Sequence, residues 1–82
     1  MADGLVKVES SNIEAVGFRP EDGVVASVLT VRFKGGAVYE YVGVSEAFYA
    51  DLLRAESKGR FLQTVTRNRY RYPCRRVTPK VG

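Results

Sequence analysis

The hydrophobic pattern changes its period at Ser45, and this change limits the folds open to the chain more than any other feature. Apolar and polar side chains alternate over residues 25–34 and 37–42, as they do in strands with one buried face. After Ser45 the apolar residues recur four positions apart, as they do in an amphipathic helix. The sequence therefore predicts a β-hairpin followed by a helix over about residues 46–57, with Gly59 just past the helix end.

Two weaker patterns flank this pair of elements. Residues 11–18 alternate imperfectly and are predicted to form a strand, and residues 59–68 fit a second, shorter helix. These elements predict an α+β fold in which a three-stranded antiparallel meander is followed by one or two helices packed on one face. The inward-facing residues of the second helix are expected to be Phe61, Leu62 and Val65, and the core is expected to contain Val31, Phe33, Phe48, Leu52 and Leu53.

The chain has 82 residues, enough for one small domain. We expect residues 1–7 to be a loose N-terminus and residues 8–72 to form the domain. Residues 73–82 contain two prolines, which interrupt regular structure. We therefore expect this last segment to be a basic C-terminal tail.

The register of the hairpin decides where Tyr39 and Tyr41 lie. A two-residue loop at Gly35-Gly36 would put both rings on the polar face, where they could stack on bases, and would turn Glu40 into the core. A bulge or a three-residue loop shifts the register by one residue and places Glu40 in water. Burying an unpaired carboxylate costs several kcal/mol, roughly. We therefore favour the shifted register, with both tyrosines in the core.

Charge is distributed unevenly along the chain. Residues 1–57 hold all nine acidic side chains and five of the thirteen basic ones, whereas residues 58–82 hold the other eight basic side chains. An acid-free basic segment can neutralise the phosphates of a nucleic acid. It can also be a solvated tail with no partner. The charge pattern therefore predicts a polyanion contact in the C-terminal third and leaves the solvated tail as the alternative.

Arginine and tyrosine alternate within residues 67–72. If this segment is extended, its three arginines share one side and its two tyrosines the other, so that the tyrosines could anchor it to the domain. Arginine and tyrosine are also enriched at binding hot spots. The candidate nucleic-acid-binding residues are Arg67, Arg69, Tyr70, Arg71, Arg75 and Arg76. Tyr39 and Tyr41 are candidates either for stacking on bases or for the core.

Several function classes lack the residues that they need. The chain has no His, no Cys-x-x-Cys pair and no Gly-rich phosphate loop before a helix. We therefore expect neither enzyme activity nor a cofactor or metal site. Cys74 is the lone cysteine and is expected to be an inert thiol in a reducing cytoplasm. The chain start lacks a signal-peptide pattern, and no apolar run approaches the ~18 residues of a membrane span. We expect a cytoplasmic protein with no membrane partner.

The order of several short elements resembles the KTSC domain, a family named for its occurrence at the C-terminus of some lysyl-tRNA synthetases. The elements are Ser10-Ser11 with Ile13 before Val-Gly-aromatic, Tyr39-x-Tyr41, Ala55-x-Ser57-x-Gly59, and a closing aromatic, Arg and Tyr. The resemblance covers about Val8 to Tyr70. Ser45 stands where many members have Pro, and Leu62-Gln63 replaces a more usual aromatic-Asn pair.

The resemblance implies a fold more directly than a function. RNA binding is suggested by the synthetase association, and no catalytic residues carry over. Two kinds of binding module follow from the sequence. The first contacts RNA or DNA through the basic C-terminal third, and its affinity should fall steeply with salt. The second is a phage- or mobile-element-type protein-interaction module that docks on and modulates a nucleic-acid-processing machine.

Overall fold

Five antiparallel strands, neighbours in chain order, form the sheet of this protein, and two helices follow the fourth strand. The computed structural model describes residues 5–68 and 70–77. The elements are β1 (Val6–Lys7), β2 (Ile13–Arg19), β3 (Val28–Phe33), β4 (Val38–Val42), α1 (Glu46–Arg54), α2 (Lys58–Thr66) and β5 (Cys74–Val77). The α+β class is as predicted, but the sheet has five strands where three were expected.

The two additional strands lie in segments that were expected to be a loose N-terminus and a tail. β1 pairs with β2, and β5 pairs with β4 along the opposite edge of the sheet. Pro73 does not prevent the second pairing, because its carbonyl oxygen accepts a hydrogen bond from the Val42 N–H at 2.9 Å. A proline lacks a donor but keeps its acceptor, so it can precede an edge strand.

The β3–β4 hairpin has the shifted register. Its loop is Lys34-Gly35-Gly36, three residues long, and the Phe33 N–H donates to the Ala37 carbonyl at 2.9 Å. Gly36 has φ +98°, a left-handed conformation that glycine adopts without strain. Val31 lies opposite Tyr39, and Glu40 faces away from the core. The predicted register is therefore confirmed.

A serine precedes each helix, and the first helix is shorter than predicted. The Ser45 hydroxyl accepts from the Phe48 N–H at 3.1 Å, which caps α1. α1 ends at Arg54 because Ala55 is extended, with ψ 138°. Ser57 precedes α2, so Gly59 lies inside the first turn of α2 and not beyond the end of α1. The expected position of Gly59 is therefore corrected.

The core lies between the helices and one face of the sheet. Val31, Leu52, Leu62 and Val65 are almost completely buried, and the half-buried Phe33, Phe48 and Phe61 pack against them. The Phe48 and Phe61 rings stack with centroids 4.8 Å apart, which joins α1 to α2.

The prediction for Leu53 is wrong, since 37% of that residue is exposed. A helix turns about 100° per residue. Burial of Leu52 therefore directs its neighbour along the rim of the core. Val44, which is fully buried just before α1, was not predicted as a core residue. No helix in the described part of the chain is both long and apolar enough to cross a bilayer.

Candidate nucleic-acid interface

The connection between α2 and β5 forms a turn, where an extended segment was expected. The Asn68 side-chain oxygen accepts from the Arg71 N–H at 3.2 Å, and the Asn68 carbonyl accepts from the Tyr72 N–H at 2.9 Å. Asparagine often closes a turn in this way. Strand alternation therefore does not apply to residues 70–72, and the extended conformation on which a one-sided row of arginines depended is wrong for them. Arg69 lies outside the described residues.

The two tyrosines of this turn have different environments. Tyr72 is half-buried and packs against the core, while Tyr70 is 100% exposed. The Arg71 guanidinium carbon lies 5.8 Å from the centroid of the Tyr72 ring, within cation–π range. Only Tyr72 anchors the segment. The Tyr70 ring is presented to solvent beside Arg71.

The adjacent arginines of β5 point to opposite faces of the sheet. Arg75 pairs in register with Glu40 on the open face, and an Arg75 Nη lies 2.5 Å from a carboxylate oxygen of Glu40. Arg76 pairs with Tyr39 and so lies on the face that the helices cover. The two side chains therefore cannot contact the same flat surface.

Three arginines near this connection are exposed and carry uncompensated charge. Arg67, Arg71 and Arg76 form no ion pair within the described residues. In contrast, Arg32 lies 2.7 Å from a carboxylate oxygen of Glu14. The end of α2, the turn and β5 thus present positive charge that is available to an anionic partner.

Tyr39 and Tyr41 lie on the helix-covered face of the sheet. Tyr41 is 5% exposed and belongs to the core cluster. Tyr39 is half-buried and meets Phe33 edge-to-face, with ring centroids 5.8 Å apart and an interplanar angle of 75°. The pair does not form a platform on the open face of the sheet.

Two adjoining cavities lie beside α2. The smaller cavity has a volume of about 280 Å³ and lies between the Ser10–Asn12 turn and the first turn of the helix. The larger cavity has a volume of about 330 Å³ and lies between the helix and strands β3, β4 and β5. Asn12, Gly59 and Gln63 line both cavities. We refer to the two together as the α2 groove.

Glycine at position 59 allows the Asn12 side chain to reach the helix. A Cβ atom at this position would lie only 2.7 Å from the Asn12 Oδ1. The same oxygen accepts a hydrogen bond from the Ser10 hydroxyl at 3.2 Å. The amide is therefore held between the turn and α2, at the junction of the two cavities.

The open face of the sheet carries a smaller, more apolar depression. It has a volume of about 260 Å³ and is bordered by Val25, Val28, Val42, Arg19 and Arg75. Next to it, 92% of Val24 is exposed. Val24 and Val25 thus place two exposed apolar side chains next to each other at this face.

Asp22 orders the loop that carries these valines. One of its carboxylate oxygens accepts from the Val25 N–H at 2.8 Å and from the Val24 N–H at 3.0 Å. The bond from Val25, followed by the bond from Val24, lowers the pKa of Asp22 below its usual value. Within residues 5–68 and 70–77, no group of three His, Cys, Asp or Glu side chains is placed to hold a metal.

Sequence reasoning found the basic residues but not the α2 groove. The walls of the groove come from four separated segments, near residues 10–12, 33–41 and 56–66 and at Cys74. Neither hydrophobic periodicity nor charge relates such distant segments. The one available signal was the order of short elements, because Ser10-Ser11, Tyr39-x-Tyr41 and Ser57-x-Gly59 all line this groove.

The chain is similar to several known proteins over most of its length. The family model of the KTSC domain matches residues 9–70. A protein from Tsukamurella paurometabola is 45% identical over 64 residues, covering 78% of this chain and 90% of that protein. An uncharacterized protein from Stutzerimonas stutzeri is 37% identical over 68 residues, covering 82% of this chain and 90% of that protein.

A solved structure has the same fold. The crystal structure of the KTSC domain protein YPO2434 from Yersinia pestis superposes with a TM-score of 0.73 at 31% sequence identity. The superposition covers 90% of this chain and 96% of that chain.

Proposed function

The chain belongs to the KTSC domain family, and we propose that it is a small non-catalytic module that binds nucleic acid, RNA above all, through its basic C-terminal third. The proposal rests on the three exposed arginines Arg67, Arg71 and Arg76, which form no ion pair within the described residues. Guanidinium groups that are not already paired can contact phosphates and release the counterions bound there.

The arrangement of these side chains on the protein surface supports a strand of RNA as the partner more than it supports a flat anionic surface. The turn presents Arg71 and the fully exposed ring of Tyr70 together, and Arg76 lies on a different side of β5 from Arg75. A flexible single strand can pass around such a ridge and stack bases on an exposed ring. Sequence-tolerant binding of single strands commonly combines these two kinds of contact.

The test is a salt titration of binding to single-stranded RNA. Neutralising Arg67 and Arg71 together, as Arg67→Gln/Arg71→Gln, should flatten the plot of log K against log salt by about 1.4, since each lost phosphate contact contributes about 0.7 for single strands. Both side chains are exposed, so the melting temperature should change little.

The matched control is Lys7→Gln/Lys34→Gln. It removes the same charge from two exposed side chains that border a separate cavity near β1. We expect this double variant to keep the slope of the parent. If the parent does not bind RNA at low salt, or if both double variants flatten the slope equally, the proposed function is wrong.

A second candidate function, docking on an acidic protein surface, is favoured by the open face of the sheet. Val24 and Val25 are exposed beside a depression that Arg19 borders, which combines an apolar anchor with positive charge, whereas Arg75 at the same depression is already paired with Glu40. Binding of this kind should survive moderate salt and should be lost in Val24→Ser/Val25→Ser. A partner captured equally well by that variant would exclude this surface.

A further inference from the structure

The α2 groove combines aromatic rings, side-chain amides and nearby cations, and we propose that it receives an unpaired base of a single-stranded nucleic acid. The proposal rests on the proposed function and deepens it, because it names the site that distinguishes a base from a phosphate. The basic C-terminal third would hold the strand, and the groove would take one base from it.

The sheet side of the groove supplies an aromatic wall. Phe33 and Tyr39 border the larger cavity, and both are only half-buried. Their edge-to-face contact fixes the two rings relative to each other. Because both residues line the cavity and are only half-buried, part of this aromatic surface remains open to it. Bases stack on such rings with little regard to sequence. The larger cavity, of about 330 Å³, is at the lower end of the range for small-molecule sites.

Two amides lie at the junction of the cavities. Asn12 and Gln63 border both of them, and each amide presents a donor and an acceptor side by side. This arrangement matches the edge of adenine, which presents a donor next to an acceptor. Asn12 is held in place by the Ser10 hydroxyl and by its contact with Gly59. Within the described residues, nothing forms a hydrogen bond with the Gln63 side chain, so its amide is available.

Two arginines flank the groove, and Glu56 also borders its smaller cavity. Arg60 borders the smaller cavity, and Arg76 lies opposite Tyr39 on the same face of the sheet. A strand whose base enters the groove would therefore have phosphates near both guanidinium groups. A base that is paired and stacked in a duplex has neither its faces nor its pairing edge available. The groove therefore selects single strands.

The test compares two probes of equal length and charge, an oligoadenylate and an abasic phosphodiester chain. Gln63→Ala should weaken binding of the oligoadenylate by about tenfold, in line with one lost base contact, and should leave binding of the abasic chain unchanged. The control is Thr64→Ala, an exposed neighbour on α2 that borders neither cavity. This control should bind both probes as the parent does.

The possible outcomes separate this site from the proposed function. The first outcome is weaker binding of both probes by Arg67→Gln/Arg71→Gln together with weaker binding of the oligoadenylate alone by Gln63→Ala. This outcome supports both the proposed function and the base site. If the parent binds the two probes equally, or binds duplex RNA as well as single strands, the base site is wrong and the phosphate contact stands. If the parent binds neither probe at low salt, the proposed function fails and the base site fails with it.

A second measurement does not depend on the affinity of a long strand. Addition of adenosine monophosphate should shift the side-chain amide NMR signals of Asn12 and Gln63, and ribose phosphate should not. Equal shifts with both compounds would overturn base recognition. Shifts produced instead by an acidic peptide would assign the groove to a protein partner and overturn it as well.

Discussion

Replacement of Gly59 by alanine tests how closely the Asn12 turn packs on α2. The new Cβ would lie 2.7 Å from the Asn12 Oδ1, whereas ordinary contact begins at 3.4 Å, so the amide has to withdraw by about 0.7 Å. Moving a side chain off its preferred rotamer costs about 0.5–1.5 kcal/mol. The withdrawal also weakens the hydrogen bond from the Ser10 hydroxyl.

The substitution also has a favourable effect on the helix. Alanine is about 0.8–1.0 kcal/mol better than glycine inside a helix, and Gly59 lies in the first turn of α2. The two effects oppose each other, so Gly59→Ala alone should leave the free energy of unfolding nearly unchanged or lower it by up to about 1 kcal/mol. In an Asn12→Ala background the steric cost disappears, and Gly59→Ala should then stabilise the protein by nearly the full helix contribution.

The assay is urea unfolding of the four proteins of this double-mutant cycle. We expect a coupling free energy of about 1 kcal/mol with a constant m-value. If Gly59→Ala stabilises both backgrounds equally, to within ~0.3 kcal/mol, the Asn12 amide is not held against the helix. The fixed amide in the α2 groove would then be refuted.

Two further predictions concern the core and the β2–β3 loop. Leu52→Ala should lower the free energy of unfolding by about 2–5 kcal/mol because Leu52 is fully buried. Leu53→Ala should lower it by less than about 1 kcal/mol. Equal losses for the two variants in urea unfolding would contradict the observed helix face. The pKa of Asp22 is lower in the folded protein than in the unfolded chain. Its contribution to stability is therefore fully present above the pKa of the unfolded chain and is lost as pH falls through the pKa of the folded protein. Asp22→Asn should therefore be less stable than the parent at pH 7 and should lose less stability on acidification. Thermal melts across pH 2–7 measure both effects. Parallel pH profiles of the two proteins would show that the hydrogen bonds to the Asp22 carboxylate contribute nothing to stability.

The sequence predicts those features that depend on neighbouring residues or on a strong energetic penalty. The change of hydrophobic period located the start of α1 at Ser45, where the side-chain cap is found. The cost of burying Glu40 predicts the hairpin register that the structure has. In both cases one local arrangement was much less favourable than its alternative.

Features that depend on distant residues could not be predicted in this way. β5 forms because β4 offers it a free edge, and nothing within residues 74–77 shows that. The turn at Asn68 replaced an extended segment because one side chain closes it, which alternation of arginine and tyrosine does not reveal. The α2 groove unites segments that are far apart in the chain, so only the folded structure relates Asn12 to Gln63.

The position of β5 at the border of the sheet has a consequence for aggregation. One side of this strand pairs with β4, and the other side has no neighbouring strand within the described residues. An exposed strand border is a template on which another chain can add, and proteins counter this with short length and charge. β5 is four residues long, and two of them are Arg75 and Arg76. Neutralising these arginines would therefore also remove a barrier to amyloid-like association. Light scattering has to show that such variants remain monomeric before a loss of binding is attributed to the lost charges.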